Sequence, residues 1–323
     1  MYILIVFFVL MSLPSYAEFH DNLRWSLDAS ARLNINKKSD RTSRIYALGL
    51  DTHKVFSTSD GDFGYMVGQL YFTKLSDHQP VPWMFGDKDD SEFIVREAHI
   101  NYTAGPDWLP NFRLGHFTMP FGLEESIDTN GRLLDYHHNK NLGTKLDWGL
   151  GINNVINHIE YNFSYTLGGK DKVESINDSY ALTGRIGSLS YQDFIIGFSI
   201  YQSEIDQIKR RRIALDWQYY WGTWGILSET ALGEDKKQNN WVKEKYQLIE
   251  LNKTAINEQL KIYGQFIFTN RDDQTKDEKL INIGLSYQIN TQLEVSLASR
   301  NQLVNAKSEK KEHLIRAQIR YRY

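Results

Sequence analysis

Three arginines near the end of the chain are separated by even numbers of residues. The last residues read HLIRAQIRYRY, in which Arg316, Arg320 and Arg322 share one parity while aliphatic and aromatic residues share the other. Because a strand sends alternate side chains to opposite faces, this spacing predicts a strand with one cationic and one apolar face. Guanidinium groups pair with carboxylate and phosphate oxygens, so the chemistry that this face offers is the recognition of anions.

A histidine pair is the second candidate for chemistry. His137 and His138 lie in a polar stretch, residues 122–144, among carboxylates and lysines. Two adjacent histidines do not by themselves hold a metal ion in a fixed geometry, so no metal site is expected. The sequence has no Gly-x-Ser-x-Gly, phosphate-binding loop or His-Glu-x-x-His motif, and no cofactor is expected. The chain is therefore predicted not to be an enzyme, since no activated nucleophile can be placed.

The elements that must position these residues follow the same alternation. Polar and apolar residues alternate without a break in LRWSLDASARLNI (23–35), and IEYNFSYTL (159–167) and INIGLSYQI (281–289) repeat the pattern. Runs as long as the first exceed most strands of soluble proteins and suit a tilted transmembrane strand. Such segments number about sixteen, an even count within the range of outer-membrane barrels.

The breaks between these segments alternate between long and short. The long polar breaks are 76–91, 122–144, 169–178, 233–242, 270–278 and 305–311. The short ones are 58–61, 157–158, 187–190, 222–223, 257–258 and 290–292, with 105–111 as a mid-length exception on the same side. Long extracellular loops and short periplasmic turns characterise bacterial outer-membrane barrels. The sequence therefore predicts an all-β fold, a transmembrane antiparallel β-barrel of about sixteen strands.

Composition supports the same fold class. The 323 residues include no cysteine, which excludes disulfides and thiolate chemistry. A net charge of −3 argues against a nucleic-acid binder. The mean hydropathy of −0.49 is too polar for a bundle of transmembrane helices, but it fits a barrel in which alternate residues face water. The alternative is a soluble β-sandwich or propeller, whose strands would be shorter, typically about 5–6 residues.

The first residues form a segment of a different kind. MYILIVFFVLMSLPSYA, residues 1–17, has a short apolar run followed by Pro14 and by small residues where a signal peptidase cuts. The run is too short to span a bilayer. We expect residues 1–17 to be a cleaved signal peptide and residues 18–323 to form the barrel.

The inner surface of such a barrel is the place where its charges would act. About sixteen strands leave a water-filled channel. Closing the barrel sets the first strand beside the last, so Arg24 and Arg32 are expected near the C-terminal arginines, with Asp28 as a local counter-charge. A basic wall of this kind sets the ion preference of a pore. Alternatively, the same arginines pair with lumen carboxylates and hold the wall rigid.

One stretch carries a resemblance to a known family. Residues 96–125, REAHINYTAGPDWLPNFRLGHFTMPFGLEE, resemble porins of the phosphate-selective O and P type, through Gly115–Glu124 and the long third loop that follows. The resemblance implies a sixteen-stranded trimeric barrel whose third loop, here 122–144, folds into the channel and narrows it. The chain departs from the family at His116, where Gln is usual, and at Thr118, where Lys is common. Pro120 cannot continue a strand ladder, so the strand should end there and release the loop.

The sequence thus predicts a porin in the outer membrane of a Gram-negative bacterium. It would pass small hydrophilic solutes or ions by diffusion, with a lean towards phosphate-like anions. An adhesive or ligand-binding barrel with a closed lumen is the alternative, and a hydrolase housed in a barrel is the third interpretation. Expected partners are the solutes, outer-membrane lipid, the barrel assembly machinery (through the C-terminal strand) and further copies in a homotrimer, but no nucleic acid. The candidates for lining the pore or its constriction are polar or cationic: Arg24, Arg32, His116, Thr118, Arg132, His137, His138, Lys140, Arg185, Lys261, Arg316, Arg320 and Arg322.

Overall fold

Sixteen antiparallel strands form one closed barrel. The computed structural model describes residues 22–37, 41–59, 61–76, 91–103, 105–106, 109–126, 132–136, 141–189, 192–237, 240–274, 276–306 and 311–323. The strands are β1 (Leu23–Asn36), β2 (Arg41–Thr58), β3 (Gly61–Ser76), β4 (Ser91–Tyr102), β5 (Asn111–Thr118), β6 (Leu146–Ile156), β7 (Ile159–Thr166), β8 (Tyr180–Ser188), β9 (Phe194–Ile205), β10 (Ile208–Trp221), β11 (Trp224–Lys237), β12 (Asn240–Ala255), β13 (Leu260–Arg271), β14 (Glu278–Gln288), β15 (Leu293–Val304) and β16 (His313–Arg322). A one-turn helix, α1 (Leu123–Ser126), follows β5, and no helix in the described ranges is long and apolar enough to cross a membrane.

The first and last strands close the barrel, as the sequence predicts. β1 pairs antiparallel with β16, from Asp28 opposite Arg322 to Asn36 opposite Leu314. Beyond the last residue of β16, the Leu27 amide donates to the Tyr323 carbonyl at 3.0 Å and the Tyr323 amide donates back at 2.9 Å. Closure leaves no unpaired sheet edge, which removes the main route by which sheets aggregate.

Alternation along each strand gives the wall two different faces. Leu114, Leu150 and Ile283 lie on the outward face and are 55%, 59% and 56% exposed. On the inward face, Asp28 and Asp216 are buried among other polar groups. The predicted period of two is therefore confirmed, with an apolar exterior and a largely polar interior.

The two ends of the barrel differ in their connections. At the turn end, two-residue turns at Asn157-His158 and Gly222-Thr223 join neighbouring strands, and Asn157 and Gly222 both take a φ of 57°. Asn and Gly are the residues that tolerate this left-handed conformation most readily. The opposite end, here the loop end, has longer connections at 119–145, 167–179, 272–277 and 305–312.

One predicted loop is wrong. Residues 233–242, GEDKKQNNWV, belong mostly to the ends of β11 and β12, and only 238–239 separate the two strands. This charged stretch continues the strand ladder, because its side chains find contacts on both the inner and the outer face of the wall. Asp235 points inward, where it pairs with Arg212 and Arg271, while Trp241 lies on the outward face under Arg211.

Several sequence predictions fall on residues that the structure does not describe. The signal peptide, residues 1–17, lies outside the described residues, as do His137, His138 and Lys140. Most of the predicted loop 76–91 also lies outside them, since the structure describes nothing between 77 and 90.

Candidate channel site

The chain enters the barrel directly after β5. This inner loop, residues 119–145, begins with the Met119 amide donating to the Lys145 carbonyl at 3.0 Å. The next residue, Pro120, has no amide hydrogen to continue the ladder, in agreement with the predicted end of the strand. Gly122 has a φ of 56°, and a Cβ built on it would lie 2.2 Å from the Glu229 carboxylate. Glycine therefore allows the loop to lie directly against the inner wall of β11.

Apolar contacts hold the base of the inner loop against the barrel wall. Met119, Phe121, Leu123 and Leu142 are each at most 1% exposed. They pack in one cluster with inward-facing side chains of β8 to β14, which are Ala181, Tyr201, Ile205, Ala214, Leu227, Ala231, Tyr246, Leu248, Ile267 and Leu280. Burial of this much apolar surface fixes the loop inside the barrel without any strand pairing.

Sequence reasoning missed this inward apolar cluster, although the chain carried a signal for it. Strict alternation places only polar groups inside, but apolar residues stand side by side in Leu248-Ile249, Phe266-Ile267 and Leu280-Ile281. One member of each pair must face inward. Adjacent apolar residues in a barrel strand therefore indicate that both faces of the wall are covered there.

Hydrogen bonds add a polar row of anchors to the same wall. The Gly122 amide donates to Ser199 Oγ at 3.0 Å, and the Leu123 amide donates to Glu229 Oε2 at 2.8 Å. On the return path the Tyr201 hydroxyl donates to the Leu142 carbonyl at 2.6 Å. Buried backbone groups of the loop thus find partners on strands β9 and β11.

Asp135 is the main ionic anchor of the middle of the loop. Arg316 holds it with two bonds of 3.1 Å, and Arg300 Nε lies 3.2 Å from its Oδ2. The Asp135 amide also donates to Gln265 Oε1 at 3.0 Å, and Arg316 donates to the Leu133 carbonyl at 2.9 Å. These contacts tie the loop to β13, β15 and β16. Arg316, one of the pore-lining candidates from the sequence, is 1% exposed, and its bonds to Asp135 and Leu133 anchor the loop.

Tyr136 extends this attachment to β12. Its hydroxyl donates to Glu250 Oε2 at 2.7 Å. Burial, together with the negative charge of Glu250, raises the pKa of the Tyr136 hydroxyl well above its ordinary value. The hydroxyl therefore keeps its proton and remains a hydrogen-bond donor to the carboxylate.

The arginines at the closure of the barrel are ion-paired in what we term the seam cluster: Asp28, Asp51, Tyr71, Arg320 and Arg322. Arg320 Nε donates to Asp28 Oδ1 at 2.9 Å, and its terminal nitrogen contacts the other carboxylate oxygen. Arg322 lies 3.7 Å from Asp28 and 3.5 Å from Asp51. The Tyr71 hydroxyl bonds both carboxylates, at 3.2 and 3.0 Å. Asp28 is therefore the local counter-charge that the sequence predicts.

Other predicted pore residues are distributed around the wall. Arg32 donates to Gln318 at 2.8 Å, and Arg185 pairs with Asp216 at 2.7 Å. Arg24 shares the inward parity of Asp28, and Lys261 shares that of the buried Tyr263. Arg132 lies half-buried in the inner loop.

His116 and Thr118 do not join these groups. His116 is 0% exposed and contacts the ring of Trp148, with centroids 5.2 Å apart, on the same parity as the outward-facing Leu114. The Trp148 indole donates to the Asp171 carbonyl at 3.2 Å, so the loop 167–179 covers this side of the wall. Thr118 donates to Glu97 Oε1 at 3.0 Å. A fully buried side chain under an outer loop contacts no solute in the lumen.

A cation that the sequence did not single out lies on the inner wall near the turn end. Arg113 stacks over Phe117, with its guanidinium carbon 5.4 Å from the ring centroid. Within the described residues it makes no ion pair. It lines a polar cavity of 220 Å³ with Asn111, Asn153, Asn162, Glu160 and Arg185. The alternation of Phe112, Arg113 and Leu114 could have located it, because both neighbours face outward.

Across the described parts of the chain, no group of three or more metal-ligating side chains is found. What the arrangement provides is a polar, charged interior that an inner loop bonded to the wall divides.

The similarity of this chain to known proteins is seen in its structure and not in its sequence. No sequence family matches the chain, and no curated protein matches it by sequence. An anion-selective porin from Comamonas acidovorans superposes with a TM-score of 0.68 at 10% identity, covering 93% of this chain and 99% of that one. The chain has the fold of the outer-membrane porins.

Two further porin-fold structures match over nearly their whole length. OmpF of Salmonella typhi, in complex with daunomycin, gives a TM-score of 0.68 at 12% identity, covering 96% of this chain and 100% of that one. The outer membrane channel DcaP of Acinetobacter baumannii gives 0.64 at 12% identity, covering 93% and 97%. These identities establish the porin fold alone, and the resemblance to the phosphate-selective O and P type stays a prediction.

Proposed function

We propose that this protein is a channel in the outer membrane of a Gram-negative bacterium and passes small hydrophilic solutes by passive diffusion. The observation that carries the proposal is the inner loop, which crosses a polar lumen and is bonded to β9, β11, β12, β13, β15 and β16. A loop held in this way would narrow the path for solutes through the lumen without blocking it. The apolar exterior suits the surrounding lipid.

Electrical recording tests the channel directly. Purified protein added to a planar bilayer of neutral lipid should produce stepwise, ohmic current increments, because a wet lumen conducts ions. A barrel that inserts, as judged by protease protection, but carries no current would contradict the channel and favour an adhesive barrel with a closed lumen.

We further propose that Arg113 gives the channel its lean towards anions. Three of the arginines expected to do so are engaged elsewhere: Arg316 with Asp135, Arg320 with Asp28 and Arg185 with Asp216. A paired cation contributes little net potential to the lumen. Arg113 instead adjoins the polar cavity of 220 Å³ and, among the described residues, makes no ion pair.

Substitution of Arg113 should therefore change ion preference. Arg113→Gln is expected to lower the anion-to-cation permeability ratio about two- to threefold, because a lumen cation that makes no ion pair among the described residues is lost. The measurement is the reversal potential in a salt gradient. Lys253→Gln is the matched control, since Lys253 lies outside the barrel over the ring of Trp224. An unchanged reversal potential in Arg113→Gln would assign the residue a structural role.

The assembly of the channel is also a proposal. The resemblance of residues 96–125 to the phosphate-selective porins implies a homotrimer, and a matched structure of OmpT from Vibrio cholerae is described as a trimer form. The C-terminal strand β16, which ends in alternating aromatic and cationic residues, is the segment that the barrel assembly machinery would recognise.

A further inference from the structure

Cationic side chains gather on the outward face of the barrel at the loop end of β10 to β14. This basic band consists of Lys209, Arg211, Lys236, Lys243, Lys245 and Lys279. All six share the parity of outward apolar neighbours such as Ile213, Leu232 and Ile249, which are 48%, 45% and 38% exposed. The band therefore lies outside the lumen and contributes nothing to the path through the channel.

Carboxylates balance only part of this charge. Lys209 pairs with Glu204 at 3.3 Å, and Arg211 lies 3.8 Å from Glu234. Asp272 and Asp277 lie in the connection between β13 and β14 at this end of the arc, where the Asp272 amide donates to the Lys243 carbonyl and Asp277 accepts from the Asn270 side chain. The cations outnumber these carboxylates, although the whole chain carries a net charge of −3. Lys243 and Lys245 are exposed and make no ion pair within the described residues.

Aromatic rings hold other members of the band in place. Arg211 and Lys236 lie over the ring of Trp241, at 5.3 and 5.7 Å from its centroid, and Lys279 lies 6.0 Å from that of Phe268. Tryptophan at this level is typical of the boundary between lipid chains and head groups. The band therefore stands at head-group height if the barrel spans the membrane as proposed.

An apolar groove leads away from the band. It has a volume of 1260 Å³, begins beside Arg211, Lys243 and Lys245, and continues along outward-facing side chains of β11 back to β5. Its floor follows one cross-strand row, in which Lys245, Leu232, Ile213 and Ile200 stand opposite one another in turn. Because barrel strands tilt by roughly 35–45°, such a row descends obliquely from the rim into the apolar belt.

We propose that the basic band and this groove bind a phosphorylated, acylated lipid of the outer leaflet. Its phosphates would lie on Lys243, Lys245 and Arg211, and an acyl chain would lie along Leu232, Ile213 and Ile200. Cations above an apolar surface match the charge and the shape of such a lipid. This inference rests on the membrane placement under the proposed function, but not on conduction through the lumen.

The opposite rim supports the assignment to one leaflet. At the turn end of the same strands the outward face carries Trp221 and Trp224, whose rings stack 6.4 Å apart, with Lys253 over Trp224 at 4.7 Å. That rim therefore has the aromatic residues of a membrane boundary without a comparable group of cations. The difference indicates that the lipid is recognised at the loop end, by charge.

Lipid binding by the purified full-length protein tests the proposal. The protein in neutral detergent is titrated with bis-phosphorylated lipid A, and bound lipid is counted by native mass spectrometry. The double variant Lys243→Gln/Lys245→Gln should bind about 10- to 30-fold more weakly than the parent, and raised salt should weaken the parent's binding. Lys253→Gln, the same change at the other rim, should bind like the parent.

Three outcomes would overturn the proposal: equal binding by the double variant and the parent, equal binding of lipid A stripped of its phosphates, or lipid-independent pairing of barrels through the band. Each variant is first shown to conduct like the parent in a neutral planar bilayer, which establishes its fold. A parent that conducts but does not bind lipid A would refute this inference alone. A parent that binds lipid A but carries no current would refute the channel alone.

Discussion

Asp135→Asn is expected to loosen the inner loop and make the channel current noisy. Among the described residues, the substitution removes the one carboxylate within ion-pair distance of both Arg316 and Arg300, whose side chains are 1% and 5% exposed. Removal of one partner of a buried ion pair typically costs about 3–5 kcal/mol, because the other charge is left uncompensated. The loop would keep its apolar base at Met119, Phe121 and Leu142 and the bond from Arg316 to the Leu133 carbonyl, but lose its ionic contacts with β15 and β16.

The measurement for Asp135→Asn combines recording and unfolding. In planar bilayers the open-channel noise should rise severalfold, and closure should occur at lower voltage, because residues 132–136 gain freedom inside the lumen. The free energy of unfolding should fall by about 3 kcal/mol.

A double variant separates the two effects of Asp135. Asp135→Asn with Arg316→Gln also removes the uncompensated charge, so part of the stability should return while the noise persists. Parent-like current noise in Asp135→Asn would show that the apolar base alone holds the loop.

The strands and the closure of the barrel could be predicted because one physical rule governs them. Each residue of the wall faces lipid or water, so alternation such as that of Leu23 to Ile35 fixes strand, face and length together. The same parity places His116 outward, beside Phe112 and Leu114. Matching residues 115–124 to a family motif suggested the lumen instead, and at this position the alternation was the better guide.

The contacts between side chains inside the lumen could not be predicted from the sequence. Alternation says that Arg316 and Arg320 face inward, but not which carboxylates reach them. Asp135 is distant from Arg316 in the chain and meets it only because the inner loop folds into the barrel. The loop prediction at 233–242 failed for a related reason. Charged residues were interpreted as solvated, whereas Asp235 is 4% exposed and is bonded to Arg212 on the inner wall.

Asp28→Asn should weaken the barrel where it closes. Asp28 is 3% exposed, bonds Arg320 through both oxygens and accepts from Tyr71. Two arginines of β16, Arg320 and Arg322, pair with it. Loss of the carboxylate leaves the buried Arg320 without its ionic partner, two residues along the strand from another cation.

The expected effect of Asp28→Asn on the free energy of unfolding is a loss of about 3 kcal/mol, the typical cost of removing one partner of a buried ion pair. It can be measured from urea unfolding of the protein in micelles. Asp62→Asn is the matched control, because Asp62 lies at the exposed start of β3 and accepts one bond from Ser57 at 2.6 Å. That control should change stability by less than about 0.5 kcal/mol.

Measurements on Asp28→Asn also distinguish the two roles that the sequence left open for the arginines of the seam cluster. If they hold the wall rigid, Asp28→Asn lowers stability while the reversal potential in a salt gradient stays near that of the parent. If they set ion preference, the same variant frees a positive charge in the lumen and moves the reversal potential further towards anions. Burial of Asp28 and Arg320 at 3% and 8% exposure favours the first result, because charges with so little contact with water are screened by each other.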